Sequence, residues 1–279
     1  MKKIKILLLT FCVILPLLVI LRIFQLNFAI DSITGFTMIA VTDFFLYGIL
    51  LLFLIFSLFL VFFFKKSPID DISNIGFNHS KNNHLIIFLY SILLVYTYTA
   101  NISVLKTEYT NSVENVSLLI IFIFKLITAT IGFLAGFLLL VELFKFFIQK
   151  DKYKVSVIPC FITITHSILA LLTFFTKERT IVTISQNLLT LFFWIFAVQF
   201  IFAFSKHLTS SKIGNPTKET FFFAMMTSIL GAITIISPLF VKEQTYYSLF
   251  DSERLITVPI FIFSTNILIP HIVNIFKKN

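Results

Sequence analysis

Eight stretches of the chain, each about 20 residues or longer, are almost entirely apolar. A helix that crosses a bilayer needs about 20 apolar residues, and in lipid the backbone must hydrogen-bond within its own segment. None of the stretches alternates between apolar and polar residues as a barrel strand does. We therefore predict an all-α polytopic transmembrane helix bundle, with helices over residues 6–24, 44–64, 85–105, 118–147, 157–176, 184–204, 221–241 and 255–276.

The composition argues against a soluble protein. The chain is 58% hydrophobic and 13% charged, whereas soluble domains carry about 25% charged residues. The longest connecting segments, residues 25–43 and 65–84, hold about 20 residues each, too few for a separate domain. We expect residues 1–279 to form a single integral membrane domain with no soluble domain, no cofactor and no nucleic-acid surface, because the +9 charge is scattered singly between apolar runs.

Basic residues are distributed unevenly between the two sides that eight spans would create. Fifteen of the 22 lysines and arginines fall on the side of the N-terminus and seven on the other. Lysine and arginine are enriched in cytoplasmic loops of membrane proteins. We therefore predict that both termini are cytoplasmic. The first apolar run continues to Ile20 without a small-residue cleavage site, which is typical of a retained signal anchor.

Two parts of the chain suggest an internal repeat. The segment Val104–Tyr109 reads VLKTEY and the segment Val241–Tyr246 reads VKEQTY, 137 positions later. A parallel duplication of four helices, about 1–147 and 157–276, would place them in corresponding positions, as in some transporters. Eight evenly spaced helices produce similar offsets without any duplication, so both interpretations stay open.

The fifth predicted helix carries a polar stripe. Cys160, Thr163, His166 and Ser167 follow helical spacing and share one face. His166 lies at the middle of its span, and Asn266 lies at the middle of the eighth helix. A histidine within a membrane helix either makes an interhelical hydrogen bond, which we favour, or serves a ligand or proton. Under the second alternative, Thr163, His166 and Asn266 form a polar path at the midplane, and no metal site is expected.

The three arginines, Arg22, Arg179 and Arg254, all fall on the predicted outer side. The planar guanidinium binds carboxylates and phosphates with two parallel hydrogen bonds, which lysine cannot do. The favoured interpretation is that these arginines pair with acidic residues and hold the outer loops together. The alternative is a binding site for an anionic lipid headgroup or a small anionic solute. The acidic candidates for pairing are Asp31, Asp43, Glu178 and Asp251.

Small residues mark two of the helices. Thr128, Gly132 and Gly136 recur at every fourth position of the fourth helix, and the seventh helix has a similar ridge. Such ridges let two helix backbones approach closely. We predict that the fourth and seventh helices are central and that the second helix is peripheral.

The fourth apolar run also contains two charged residues. Its length places Lys125 near the outer interface, where its side chain can extend to water. We expect Glu142, near the inner interface, to pair with Lys145 three positions later.

The first helical hairpin contains Arg22-x-x-Gln25 followed by Asp31-x-x-Thr34-Gly35-Phe36. This pattern resembles the opening of uncharacterised multi-pass membrane proteins of low-GC Gram-positive bacteria. The resemblance covers about 40 residues here. It implies a bacterial cell membrane and carries no activity with it.

Two functions are compatible with these features. The first is a non-enzymatic binding or accessory protein of the bacterial inner membrane, in contact with the bilayer and with other membrane proteins. The second is a small-solute or lipid transporter with a polar site at the midplane. No nucleophile, base and acid occur together in a pattern typical of an enzyme.

Overall fold

The structure is a computed structural model that describes residues 2–31, 37–62, 81–100, 116–149, 156–177, 185–209, 216–241 and 257–277, with four single positions between 102 and 109. Each long described range contains one α-helix of ten or more residues, and each of these helices overlaps one predicted segment. The helices are α1 (Lys2–Phe24), α2 (Ala40–Phe62), α3 (Lys81–Ala100), α4 (Val116–Gln149), α5 (Val157–Lys177), α6 (Ser185–Leu208), α7 (Pro216–Gly231) and α8 (Thr257–Lys277).

Six helices of the described chain are long and apolar enough to cross a membrane. Shorter apolar segments, Ile87–Thr99 and Thr257–Val273, lie within α3 and α8. Apart from one isolated bridge between Ile30 and Thr37, the described residues form helices and turns. The prediction of an all-α bundle typical of a membrane protein is thus confirmed for these residues, whereas eight spans and the location of the termini stay predictions. The six spans are Lys5–Ala29, Ala40–Phe62, Leu118–Lys145, Val157–Phe175, Asn187–His207 and Pro216–Phe240.

Helices α3 to α8 form a closed ring. Each packs against the next along the chain, and α8 packs against α3 to complete the circuit. Helices α1 and α2 lie outside this ring, where both contact α7. Helix α7 is therefore enclosed on both sides, and 78% of its most apolar window is buried.

The prediction that α4 is central is wrong, whereas those for α7 and α2 are confirmed. Only 22% of the most apolar window of α4 is buried, and several of its large apolar side chains are exposed. A ridge of small residues permits close approach along one narrow stripe and says nothing about the other faces of the helix. In α4 that stripe meets both α3 and α5. A Cβ at Gly136 would lie 2.9 Å from the Ser91 carbonyl oxygen of α3, and Thr128 shares a 2.8 Å hydrogen bond with Thr173 of α5.

Two of the helices end irregularly and meet there. A π-helical turn, Gln25–Ala29, extends α1, and α7 continues through a π turn, Ala232–Ile236, into a 3₁₀ turn, Ser237–Phe240. The second irregularity surrounds Pro238, which has no N–H to continue the α-helical pattern. Asn27 Nδ2 donates to the Phe240 carbonyl at 3.2 Å, so the two extensions are joined.

The opposite end of the bundle is held by charged pairs, and we call it the lysine end. Here α4 and α6 finish while α5 and α7 begin. Lys145 Nζ lies 3.0 Å from Glu142 Oε1 within α4, and Lys206 Nζ of α6 lies 3.0 Å from Glu219 Oε2 of α7.

Candidate functional site

A tyrosine and a histidine meet inside the ring. The Tyr98 hydroxyl of α3 lies 2.5 Å from His166 Nε2 of α5, and His166 is fully buried. Helix α4, between them in the chain, makes room through Gly132, since a Cβ there would overlap the Tyr98 ring and lie 2.8 Å from His166 Cδ2. The favoured interhelical hydrogen bond of His166 is therefore present. Tyr98, Gly132 and His166 come from three successive helices of the ring.

The second nitrogen of this imidazole has no hydrogen-bond partner among the described residues. His166 Nδ1 is buried. If Nε2 accepts from the phenol, Nδ1 carries a proton and is an unpaired donor; in the other tautomer it is an unpaired acceptor. Leaving such a group unpaired in the interior costs about 1–3 kcal/mol. The pair therefore leaves one buried polar atom without a hydrogen-bond partner in the described part of the chain.

The polar stripe predicted on the fifth helix is buried as a unit. The Thr163 hydroxyl donates to the Pro159 carbonyl at 2.8 Å, and the Ser167 hydroxyl donates to the Thr163 carbonyl at 2.9 Å. These bonds satisfy the hydroxyl protons within α5 and leave the oxygen lone pairs available as acceptors. Cys160 completes the stripe nearest the lysine end.

A small cavity of about 30 Å³ lies inside the ring beside this stripe. The Tyr90 hydroxyl is buried and has no hydrogen-bond partner in the described part of the chain, while the Tyr90 ring stacks on Phe263 of α8 at 5.4 Å. Ser205 of α6 and Cys160 of α5 line the same cavity. The lining side chains come from five of the six ring helices: Ile87, Tyr90, Leu139, Cys160, Thr163, Ile201, Phe204, Ser205 and Phe263.

Asn266 is not placed beside the α5 stripe. It lies on α8, whose neighbours in the ring are α3 and α7, and its Nδ2 donates to the Ile262 carbonyl within the same helix at 2.9 Å. The neighbouring Ser264 hydroxyl instead meets the Ser228 hydroxyl of α7 at 3.1 Å. The structure thus brings Thr163 and His166 together on one face of α5 and puts Asn266 elsewhere. A shared binding role for the three stays a prediction.

Arg22 lies at the end of the bundle opposite the lysine end. It is fully buried, and its Nη1 donates to Gln25 Oε1 at 3.0 Å. Gln25 Nε2 in turn donates to Asp43 Oδ1 of α2 at 3.1 Å. Arginine and aspartate are therefore connected through an amide, an intermediary that the sequence alone did not reveal. Arg179 and Arg254 lie outside the described residues, so a ligand-binding role for the three arginines stays a prediction.

Other polar contacts join neighbouring helices. The predicted Glu142–Lys145 pair is present, and Glu142 Oε2 also accepts from the Ser156 N–H at 3.2 Å, which links the end of α4 to the start of α5. Thr128 and Thr173 share a hydrogen bond of 2.8 Å between α4 and α5. Lys125 is half-buried on α4.

The sequence did not single out Tyr98 and Tyr90, two tyrosines of this site. They lie eight positions apart on α3, and that spacing puts them on one helix face. This spacing could have indicated that the two tyrosines face the same neighbours. It does not stand out, because eight tyrosines and 38 phenylalanines are spread over the chain.

In the described part of the chain, no three His, Cys, Asp or Glu residues are grouped so as to hold a metal ion. Comparison of the chain with protein-family models, with curated proteins and with solved structures finds no match.

Proposed function

We propose that this chain is an eight-span protein of the bacterial inner membrane with both termini in the cytoplasm. Six described helices have the length and apolarity of spans, and α3 and α8 contain shorter apolar segments. The excess of basic residues on the side of the N-terminus supports the orientation. In this arrangement the lysine end, which carries Lys145 and Lys206, is the cytoplasmic side.

Within the membrane, the protein acts as a non-enzymatic binding or accessory component, and it works through contacts with other membrane proteins. One observation carries this proposal: the described side chains that face the ring interior are closely packed. The cavity that Tyr90, Cys160 and Ser205 help to line is about 30 Å³, far smaller than the roughly 300–1,000 Å³ of pockets that hold small organic ligands. Phe200 and Phe204 pack against Phe263 across the ring at 5.3 and 4.8 Å between centroids. A solute does not pass through this packing without a rearrangement of the ring.

The test compares complex formation with transport in the same preparation. The tagged protein is purified from its native membrane in mild detergent and weighed intact by native mass spectrometry, and a second portion is reconstituted in proteoliposomes. An accessory component is expected to carry a second protein in fixed stoichiometry and to pass no solute. A monomer that supports solute flux would contradict the proposal.

The alternative function is a small-solute or lipid transporter, and the Tyr98–His166 pair favours it. The unpaired Nδ1 of His166 is a polar group retained inside the bundle, and ionisable groups within membrane helices commonly mark proton or solute pathways. The buried Arg22 would then belong to an outer layer, with Arg179 and Arg254, for an anionic headgroup or solute. Flux in proteoliposomes should fall for His166→Ala and Asn266→Ala, and unchanged flux in both would remove this pathway.

A further inference from the structure

A glutamine is exposed near the middle of helix α6. The apolar segment of this helix runs from Asn187 to His207, and the Gln199 side chain lies on its outer surface. At 1.5 Å of rise per residue, Gln199 is about 3 Å along the axis from the middle of the segment and about 12 Å from its nearer end. The side chain is too short to reach water over that distance. In a bilayer the amide therefore faces hydrocarbon.

The Gln199 amide has both donors and an acceptor to satisfy. A carboxamide carries two N–H donors and a carbonyl oxygen, and lipid tails offer a partner to neither. In the described part of the chain, nothing hydrogen-bonds with this side chain. Thr130 of α4 is also exposed near the middle of an apolar segment, but its hydroxyl donates to the Leu126 carbonyl at 2.8 Å. The partner that fits Gln199 is thus a polar side chain of another membrane helix at the same depth.

The apolar neighbours of Gln199 form a seam on which a second helix can pack. Phe192, Ile195 and Phe202 are exposed on the same side of α6. Together with Gln199 they follow steps of three, four and three residues, which is the spacing of the a and d positions of a left-handed coil of two helices. A single polar residue at an a position of such a seam fixes the register and the number of helices.

A second copy of this chain supplies the missing partner without any further component. Copies inserted in one orientation carry Gln199 at the same depth, and a two-fold axis along the membrane normal brings the same residue of both copies together. Since an amide both donates and accepts, Gln199 of one copy is a full complement for Gln199 of the other. Lys206 lies further along the seam, and its ion pair with Glu219 at 3.0 Å compensates the charge that two copies bring together there.

We propose that the outer face of α6 is a homodimer interface within the membrane, in which Gln199 of each of two parallel copies is hydrogen-bonded to Gln199 of the other. Phe192, Ile195 and Phe202 pack on both sides of this contact. This inference goes beyond the proposed function and does not depend on it, because self-association requires no other membrane protein.

The test measures self-association in lipid. Full-length copies that carry a donor or an acceptor dye at the C-terminus are mixed in proteoliposomes, and energy transfer between them is followed as the protein is diluted in lipid. Gln199→Leu removes the amide and keeps a side chain of similar size, so the dissociation constant should rise about 5-fold to 30-fold, the range given by interhelical hydrogen bonds of model peptides in membranes. Thr130→Val is the matched control at similar depth and should leave the constant unchanged, because that hydroxyl is already bonded within α4.

A second measurement locates the interface while Gln199 stays in place. In a Cys12→Ser, Cys160→Ser background, Ile195→Cys lies on the seam, whereas Ile168→Cys lies on the exposed face of α5, outside the seam. Iodine, which dissolves in lipid, oxidises two thiols to a disulfide and is itself reduced to iodide. We expect a covalent dimer for Ile195→Cys and none for Ile168→Cys.

The proposal is overturned if the wild-type protein does not associate in lipid, or if Gln199→Leu associates as tightly as the wild type. Equal disulfide formation at positions 195 and 168 would show random collision and would also overturn it. A different membrane protein that binds the wild-type chain and is lost in Gln199→Leu, without energy transfer between copies, would assign the face to that protein instead of to a second copy.

Discussion

Gly132→Ala is the substitution that most strongly perturbs the interior of the ring. At this position α4 passes so close to α3 and α5 that a Cβ overlaps the Tyr98 ring and lies 2.8 Å from His166 Cδ2. Both rings are buried, so neither can move aside freely. A single methyl group should therefore force Tyr98 and His166 apart and weaken the hydrogen bond between them.

The magnitude follows from two contributions. Adding a methyl group to a filled interior costs about 1–3 kcal/mol. Loss of a buried hydrogen bond that leaves its groups unpaired costs about 1–3 kcal/mol. Since the two overlap, we expect the free energy of unfolding to fall by about 2–4 kcal/mol, or about 30-fold to 700-fold in the folding equilibrium.

The assay is reversible unfolding in mixed micelles by titration with dodecyl sulfate, with Gly48→Ala as the matched control. A Cβ added at Gly48 of α2 would have no neighbouring atom within 4 Å, so alanine there should be neutral or stabilise the helix by up to about 1 kcal/mol. Gly136→Ala should also be destabilising, because its Cβ would lie 2.9 Å from the backbone of Ser91. Unlike Gly132→Ala, this substitution should leave the Tyr98–His166 bond intact. If Gly132→Ala and Gly48→Ala unfold at the same dodecyl sulfate fraction, the close approach of α4 to the pair is refuted.

Three further predictions concern the polar contacts and the topology. A double-mutant cycle between Tyr98→Phe and His166→Ala should give a coupling energy of about 0.6–1.7 kcal/mol in the same unfolding assay, and additive effects would contradict the bond. Gln25→Ala should lower the free energy of unfolding by about 1–3 kcal/mol, since Arg22 and Asp43 lose the amide that connects them; no loss of stability would show that the amide is dispensable. Cysteine labelling from each side of sealed vesicles should place both termini in the cytoplasm, and labelling of either terminus from the outside would contradict the topology.

Much of the helical architecture was predictable because lipid imposes simple requirements on a chain. A run of about 20 apolar residues in a bilayer must be a helix, and the described helices fall on the predicted runs. Local contacts were equally accessible, as the Glu142–Lys145 pair shows, because helical spacing alone brings its partners together.

The neighbours of each helix were not predictable in the same way. When Phe, Ile and Leu cover almost every helix face, the apolar pattern does not distinguish a face that meets lipid from a face that meets another helix. Tyr98 and His166 are 68 positions apart and come together only because α3, α4 and α5 pack in succession. For the same reason, the ridge around Gly132 correctly indicated a close contact but wrongly suggested a central helix.

The central claim is that α8 closes the ring against α3, and a short crosslink across that contact tests it most directly. The Tyr90 and Phe263 rings stack at 5.4 Å, whereas Tyr96 on α3 is 62% exposed. In a Cys12→Ser, Cys160→Ser background, Tyr90→Cys with Phe263→Cys should be joined rapidly by a short bifunctional thiosulfonate in native membranes, and Tyr96→Cys with Phe263→Cys should not. Equal crosslinking of the two pairs in folded protein would contradict the closed ring.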